Sequence, residues 1–254
     1  MPRLDHMVFA LPSRHYLEYG SCVMREIIEQ NRKPNFVIRR LDGSDANPSN
    51  IDSAISEVDP IFFFGVGHGN VDIWTCECMT PYMTSCSDRA RRMAGRVVHL
   101  NSCLTGRGLG PDLINKGALA YFGSRSEFWL YIGSPPCSDR AAKAVFLCEY
   151  QVEVSLLQGK TTGEAQEDRL RRYDEEIKYW TEGEGRNHPH ASLIVRLLEI
   201  DKSIAVMYGR KDVRIVSVPT IPMPPVAQLL LGLMPIGVVG AVIGGEELRK
   251  AGVV

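Results

Sequence analysis

A histidine and a cysteine each close an apolar run in this chain, and a thiol beside an imidazole can do nucleophilic chemistry. The first run, residues 61–66, leads through Gly67 into His68-Gly69-Asn70. The second, residues 97–102, leads into Cys103-Leu104-Thr105-Gly106. A thiol becomes a good nucleophile when a neighbouring imidazole takes or offsets its proton. Taken singly, Cys103 reads as a buried structural thiol and His68 as a turn residue. Taken together, both at strand ends and both flanked by glycine or small residues, they read as a catalytic pair. His99 is the competing imidazole. It lies inside the second run and is expected to pack in the interior or on the opposite face. His6 and His15 flank the first expected strand and rank below His68.

Elements of a particular kind must position such a pair. Short apolar runs bounded by glycine and polar residues read as buried strands of a parallel sheet. Chemistry in such a sheet collects at the carboxyl ends of the strands, where loops open into a crevice. The rest of the chain supports that architecture. Residues 7–11 and 36–38 read as strands, with a helix over 16–30 between them. Turn formers fill 42–50, and a short helix follows over 51–58, capped by Asn50 or Ser49. Residues 71–96 read as a polar loop followed by a helix near 87–94. A short helix is expected at 113–116 and a strand at 118–123. Residues 138–157 form an amphipathic helix with Ala142, Val145, Phe146 and Glu149 on successive turns. A long charged helix over 164–180 is capped by Thr161 or Thr162. Residues 192–199 and 203–208 fit two strands, or a helix and a strand, and 213–218 fits a last strand. Strand and helix alternate, which argues for a parallel sheet flanked by helices.

Composition narrows the function classes. The chain has 254 residues, 44% hydrophobic and 23% charged, and a formal net charge of -1. No global field recruits nucleic acid, and the arginines of 89–96 and 169–172 read as solvated helix faces. No P-loop and no G-x-G-x-x-G follows a strand, so phosphate binding has little support. Seven cysteines leave at least one unpaired within the chain. With no secretory layout at the N-terminus, this favours a reducing, cytoplasmic location. Cys76, Cys78 and Cys86 lack the paired knuckles of a structural zinc site, so no metal and no cofactor is expected.

The last stretch differs from the rest. Residues 226–245 carry no charge, follow Pro222, Pro224 and Pro225, and include the G-x-x-x-G pattern from Gly240 to Gly244. Twenty such residues match a membrane-spanning length, and they equally suit burial against protein. The expected division is a catalytic domain over 1–220 and a Pro-rich linker with an apolar tail over 221–254. That tail would touch a membrane or a second copy of the chain.

The histidine and cysteine blocks resemble the two active-site blocks of clan CD cysteine peptidases, most closely the gingipain and CHAT branch. Gly67-His68-Gly69-Asn70, with Trp74 shortly after, is similar to the histidine block. Leu100-Asn101-Ser102-Cys103-Leu104-Thr105-Gly106 is similar to the cysteine block. Residues 117–123 and 156–165 resemble the strand and the helix-break-helix that follow, and 206–215 loosely resembles a terminal strand block. The resemblance covers roughly residues 5–218. It implies a caspase-like three-layer α/β/α sandwich with a mostly parallel central sheet. It also implies hydrolysis of peptide bonds in a protein or peptide substrate, through a thioester on Cys103. His68 would protonate the leaving amine, and the backbone N–H groups of Gly69 and Cys103 would hold the oxyanion. In this clan a polar or charged group near the first strand, or after the cysteine strand, reads the residue before the cut. The candidates here are Arg14, Glu18 and Asp45, with Ser124, Glu127 and Trp129. A contrasting expectation is a catalytically silent scaffold of the same fold, assembled through the apolar tail.

Overall fold

Residues 2–217 are described by the computed structural model of the chain. The apolar stretch at 226–245 and the boundary expected at 220 lie outside the described residues. The strands are β1 (Arg3–Leu11), β2 (Val37–Asp42), β3 (Pro60–Val66), β4 (Gly69–Asn70), β5 (Ile73–Thr75), β6 (Pro81–Thr84), β7 (Val97–Asn101), β8 (Ala120–Ser124) and β9 (Ala205–Gly209). The helices are α1 (Leu17–Asn31), α2 (Pro48–Val58), α3 (Asp88–Arg91), α4 (Leu109–Asn115), α5 (Arg140–Glu149), α6 (Gln151–Leu157), α7 (Thr162–Thr181) and α8 (Ala191–Ile204).

Six strands form the central sheet in the order β2-β1-β3-β7-β8-β9. All neighbours pair in parallel except β8 and β9. β3 is buried along its whole length, as a strand covered on both faces must be. Its side chains alternate between the two faces. Phe62 and Phe64, with Met7 and Phe9 of β1, pack under α1 and α5 to α8. Phe63, with Val8 and Ala10, packs against α2, α4 and the small sheet. The result is the mixed α/β, three-layer α/β/α arrangement expected from the alternating runs. Strand order turns back between β1, which leads to β2 on one side, and β3 on the other. Such a reversal leaves a crevice at the carboxyl ends of the strands.

Several local expectations are corrected. Residues 69–84 are not a polar loop; they build a second, antiparallel sheet in the order β4-β5-β6. Trp74 pins it to the core, its ring edge-on to Phe63 at 5.9 Å. Trp74 also meets Tyr82 of β6 edge-on at 5.7 Å, packing between strands that the polar residues around them hid. The cap of α2 is Asn47, whose side chain accepts the Asn50 N–H at 3.1 Å, and Pro48 opens the helix. Proline suits that first position because its missing N–H would be unpaired anyway. The long helix expected over 138–157 breaks into α5 and α6 at Tyr150, whose ring packs edge-on to Phe64. Tertiary packing of that phenol overrides the helical periodicity. Of the two readings of residues 192–208, the helix and strand is the one observed, as α8 followed directly by β9. The last expected strand is absent among the described residues. Residue 215 contributes a single backbone bond, from Asp5 N–H to Ile215 O at 2.9 Å. Asp5 has φ of 65°, and the pairing of β1 with β3 shifts register beside it.

Other expectations hold in detail. β7 spans the expected residues, and Thr161 caps α7 in a reciprocal capping box with Glu164. No helix among the described residues is long and apolar enough to cross a membrane. Cys22 and Cys137 form a disulfide with Cα atoms 5.6 Å apart. It ties α1 to the segment between β8 and α5. The remaining cysteines are free, with Cys76 and Cys148 buried and Cys78 and Cys86 exposed.

Candidate active site

The parallel register of β3 and β7 brings the two blocks together. Val66 lies opposite Asn101, and His68 and Cys103 each follow two residues later. Both line one cavity of about 210 Å³ at the carboxyl ends of these strands. The loops also interlock through backbone. A side chain at Gly69 would overlap the Cys103 carbonyl oxygen and stand 2.9 Å from Ser102 Oγ. Only glycine lets the histidine loop approach the cysteine turn this closely.

The cysteine turn is held from several directions. Leu104 adopts φ of 62°, which is costly for a residue with a side chain. Its N–H donates to Ser126 O at 2.9 Å, and Thr105 N–H folds back on Cys103 O at 2.7 Å. Thr105 Oγ1 accepts from Tyr121 OH at 2.8 Å and shares a proton with Ser102 Oγ at 2.9 Å. The turn therefore presents the sulfur from a fixed backbone. On the other loop, Thr75 supplies both its N–H and its hydroxyl to His68 O, at 2.9 and 3.1 Å.

Both groups are shifted toward their neutral forms. Burial raises the Cys103 thiol above its ordinary value, and the nearby Glu127 carboxylate adds to the rise. The Phe128 N–H on Cys103 Sγ, at 3.4 Å, pulls the other way and outweighs Glu127, but not burial. Burial also lowers the His68 imidazole below its ordinary value, helped by the neighbouring His15. A thiol with a raised pKa and an imidazole with a lowered one do not exchange a proton at rest. Alkylation of Cys103 by iodoacetamide is therefore expected to keep accelerating past about pH 8.5, where a free cysteine is half ionised. A rate that is already flat below neutrality would show a preformed thiolate instead.

The histidines divide as their positions imply. His99 is completely buried, facing α5 and α6 rather than the cavity. Its Nδ1 meets Glu153 at 2.6 Å and its Nε2 meets Glu149 at 3.1 Å. Arg169 of α7, expected on a solvated helix face, is instead completely buried and completes this network on Glu149, because only the packed helices supply its counter-charge. His6 bonds Val58 O at 2.7 Å, beside the end of α2. His15 is exposed, close enough to depress His68.

None of the six candidate specificity residues lines the cavity. Arg14 pairs with Glu77 at 3.3 Å, and Glu18 pairs with Arg25. Asp45 is exposed in a short turn beyond β2. Ser124 is buried at the end of β8, facing elsewhere. Glu127 is exposed and accepts from Ser126 OH, while the Trp129 ring projects outward and its backbone N–H donates to Asp201 Oδ1 at 3.0 Å. The walls are instead the apolar neighbours of these residues in sequence: Leu17 beside Glu18, and Phe128 and Leu130 on either side of Trp129. Phe146 of α5 and Val66 of β3 complete them, and Asn101 stands at the base of the cysteine block. Apolar side chains carry no chemical signature in the sequence, whereas their charged neighbours do. Asn101 did carry one, as a polar residue ending a strand that is otherwise buried and apolar apart from His99.

Cys76, Cys78 and Cys86 do not converge. Among the described residues the close set of metal-ligand types is Glu18 with Cys22 and Cys137, and the two cysteines are already bonded to each other. No protein-family model matches the chain, and no curated protein matches it in sequence.

Proposed function

We propose that this protein is a cysteine peptidase in which Cys103 attacks a peptide carbonyl and His68 moves the proton. One observation carries the reading: parallel, adjacent strands end in an imidazole and a thiol that share a single cavity. The cycle follows from the neutral resting pair. Substrate entry excludes water, and the Cys103 proton passes to His68 as the sulfur adds to the carbonyl carbon. The negative oxygen that results needs donors fixed in advance. The Cys103 N–H, on its anchored turn, and the Gly69 N–H beside it suit that role. In an antiparallel ladder bonded and non-bonded pairs alternate. His68 O already takes the Thr75 N–H, so Gly69, opposite Trp74, is in the non-bonded class. Collapse of the adduct breaks the C–N bond, and His68 returns its proton to the leaving amine. Water, deprotonated by His68, then cleaves the thioester and restores the thiol.

Labelling with a peptidyl acyloxymethyl ketone tests this. The expected adduct forms on Cys103 alone among the free cysteines. It is lost in Cys103→Ala and slows by about 100-fold or more in His68→Ala, the usual worth of a general acid–base. An unchanged rate in His68→Ala would reduce Cys103 to an accessible thiol with no partner.

A further inference from the structure

The cavity beside Cys103 is uncharged. No carboxylate, lysine or arginine among the described residues lines it; its walls are Leu17, Phe128, Leu130 and Phe146. Its volume of about 210 Å³ falls below the roughly 300–1,000 Å³ of small-molecule clefts. It fits one side chain rather than a whole ligand. At the base stands Asn101, 4% exposed. Its Oδ1 accepts from Tyr150 OH at 2.8 Å. Its Nδ2, buried, has no partner. Gly20 of α1 packs closely on these groups, because a side chain there would overlap the Tyr150 hydroxyl and sit 3.3 Å from Asn101 Oδ1.

A buried donor left unpaired is costly, and such a group points to a missing acceptor. We infer that this cavity receives the substrate side chain preceding the cut and selects an uncharged, unbranched chain that ends in a hydrogen-bond acceptor, glutamine above all. This rests on the peptidase reading of Cys103. The apolar walls cover the methylenes, and the side-chain carbonyl accepts from Asn101 Nδ2. An arginine or aspartate in the same place would bury a charge with no counter-charge, which is strongly disfavoured. Tyr150 fixes the choice of donor over acceptor. By occupying Oδ1 it makes the donor Nδ2 the group left to pair.

The test uses the full chain and four peptidyl acyloxymethyl ketones that differ only in the residue next to the reactive group: glutamine, norleucine, arginine or aspartate. Adduct formation on Cys103 is timed by mass spectrometry. Glutamine is expected to react about tenfold faster than norleucine, the worth of one satisfied buried donor. Both charged probes are expected to react roughly 100-fold more slowly than glutamine. Asn101→Asp replaces the donor with an acceptor at constant shape, so the ratio of glutamine to norleucine should fall to about one or below. Equal rates for glutamine and norleucine in the unaltered protein overturn the inference, as does a charged probe reacting fastest. A glutamine advantage that survives Asn101→Asp also overturns it. These failures leave the peptidase reading standing, because Cys103 is still labelled. Absence of any adduct removes the peptidase reading and this selectivity together.

Discussion

Arg169→Met is expected to destabilise the protein by roughly 3–5 kcal/mol, the cost of breaking a buried ion pair from one side. Arg169 is completely buried and forks onto Glu149, through Nε to Oε2 at 3.1 Å and through Nη2 to Oε1. Glu149 is equally buried and also meets His99 Nε2 and Tyr173 OH, the latter at 3.0 Å. Burial by itself would raise the Glu149 carboxyl. The Arg169 guanidinium and His99 overcome it and hold the group down to about 2. Methionine keeps the volume and removes the cation, leaving a carboxylate in the core of α5, α7 and β7. Thermal unfolding should fall by on the order of 10 °C. The pH dependence has a definite sign. A carboxyl depressed on folding stabilises the protein above its unfolded value of about 4.3, and that contribution fades as pH falls toward 2. The gap between the two proteins should therefore be widest near neutrality and narrow in acid. Equal melting temperatures at neutral pH would show that the network contributes no net stability.

Gly69→Ala is expected to slow labelling of Cys103 by a peptidyl acyloxymethyl ketone, whose ketone oxygen gains negative charge as the sulfur adds, about 100-fold or more, the typical loss when an oxyanion donor is displaced. The added methyl cannot fit against the Cys103 carbonyl and Ser102 Oγ, so the histidine loop must lift away from the cysteine turn. Iodoacetamide provides the control, since its displacement chemistry develops no carbonyl oxyanion. Its rate on the same variant should change far less. Equal losses with both reagents would mean that the turn itself has collapsed. A peptidyl rate at the level of the unaltered protein would rule out Gly69 as a donor.

How much of this was legible in the residues depends on the range of the interaction involved. Residues 61–66 and 97–101 announced buried parallel strands, because continuous apolar runs fit few other environments. His68 and Cys103 were marked by glycine and small residues at the strand ends. His99, inside a buried run, was readable as an interior residue. Its partners were not. Glu149 sat on the apolar face of its helix, where its spacing with Val145 and Phe146 was visible, yet nothing local named Arg169, twenty residues on, as its counter-charge.

The amino-acid order alone determined the alternation of strand and helix, the parallel sheet, and the positions of the thiol and imidazole along the chain. These depend on periodicity and on breakers a few residues apart. Only the tertiary structure decided that Val66 aligns with Asn101, and so that His68 and Cys103 line one cavity. It also decided that the cavity beside Cys103 is lined by no carboxylate, lysine or arginine, that Tyr150 pairs with Asn101 Oδ1, and that residues 69–84 hold a small antiparallel sheet. Each of those outcomes depends on strand register and on desolvation by distant side chains, quantities that no local window of sequence contains.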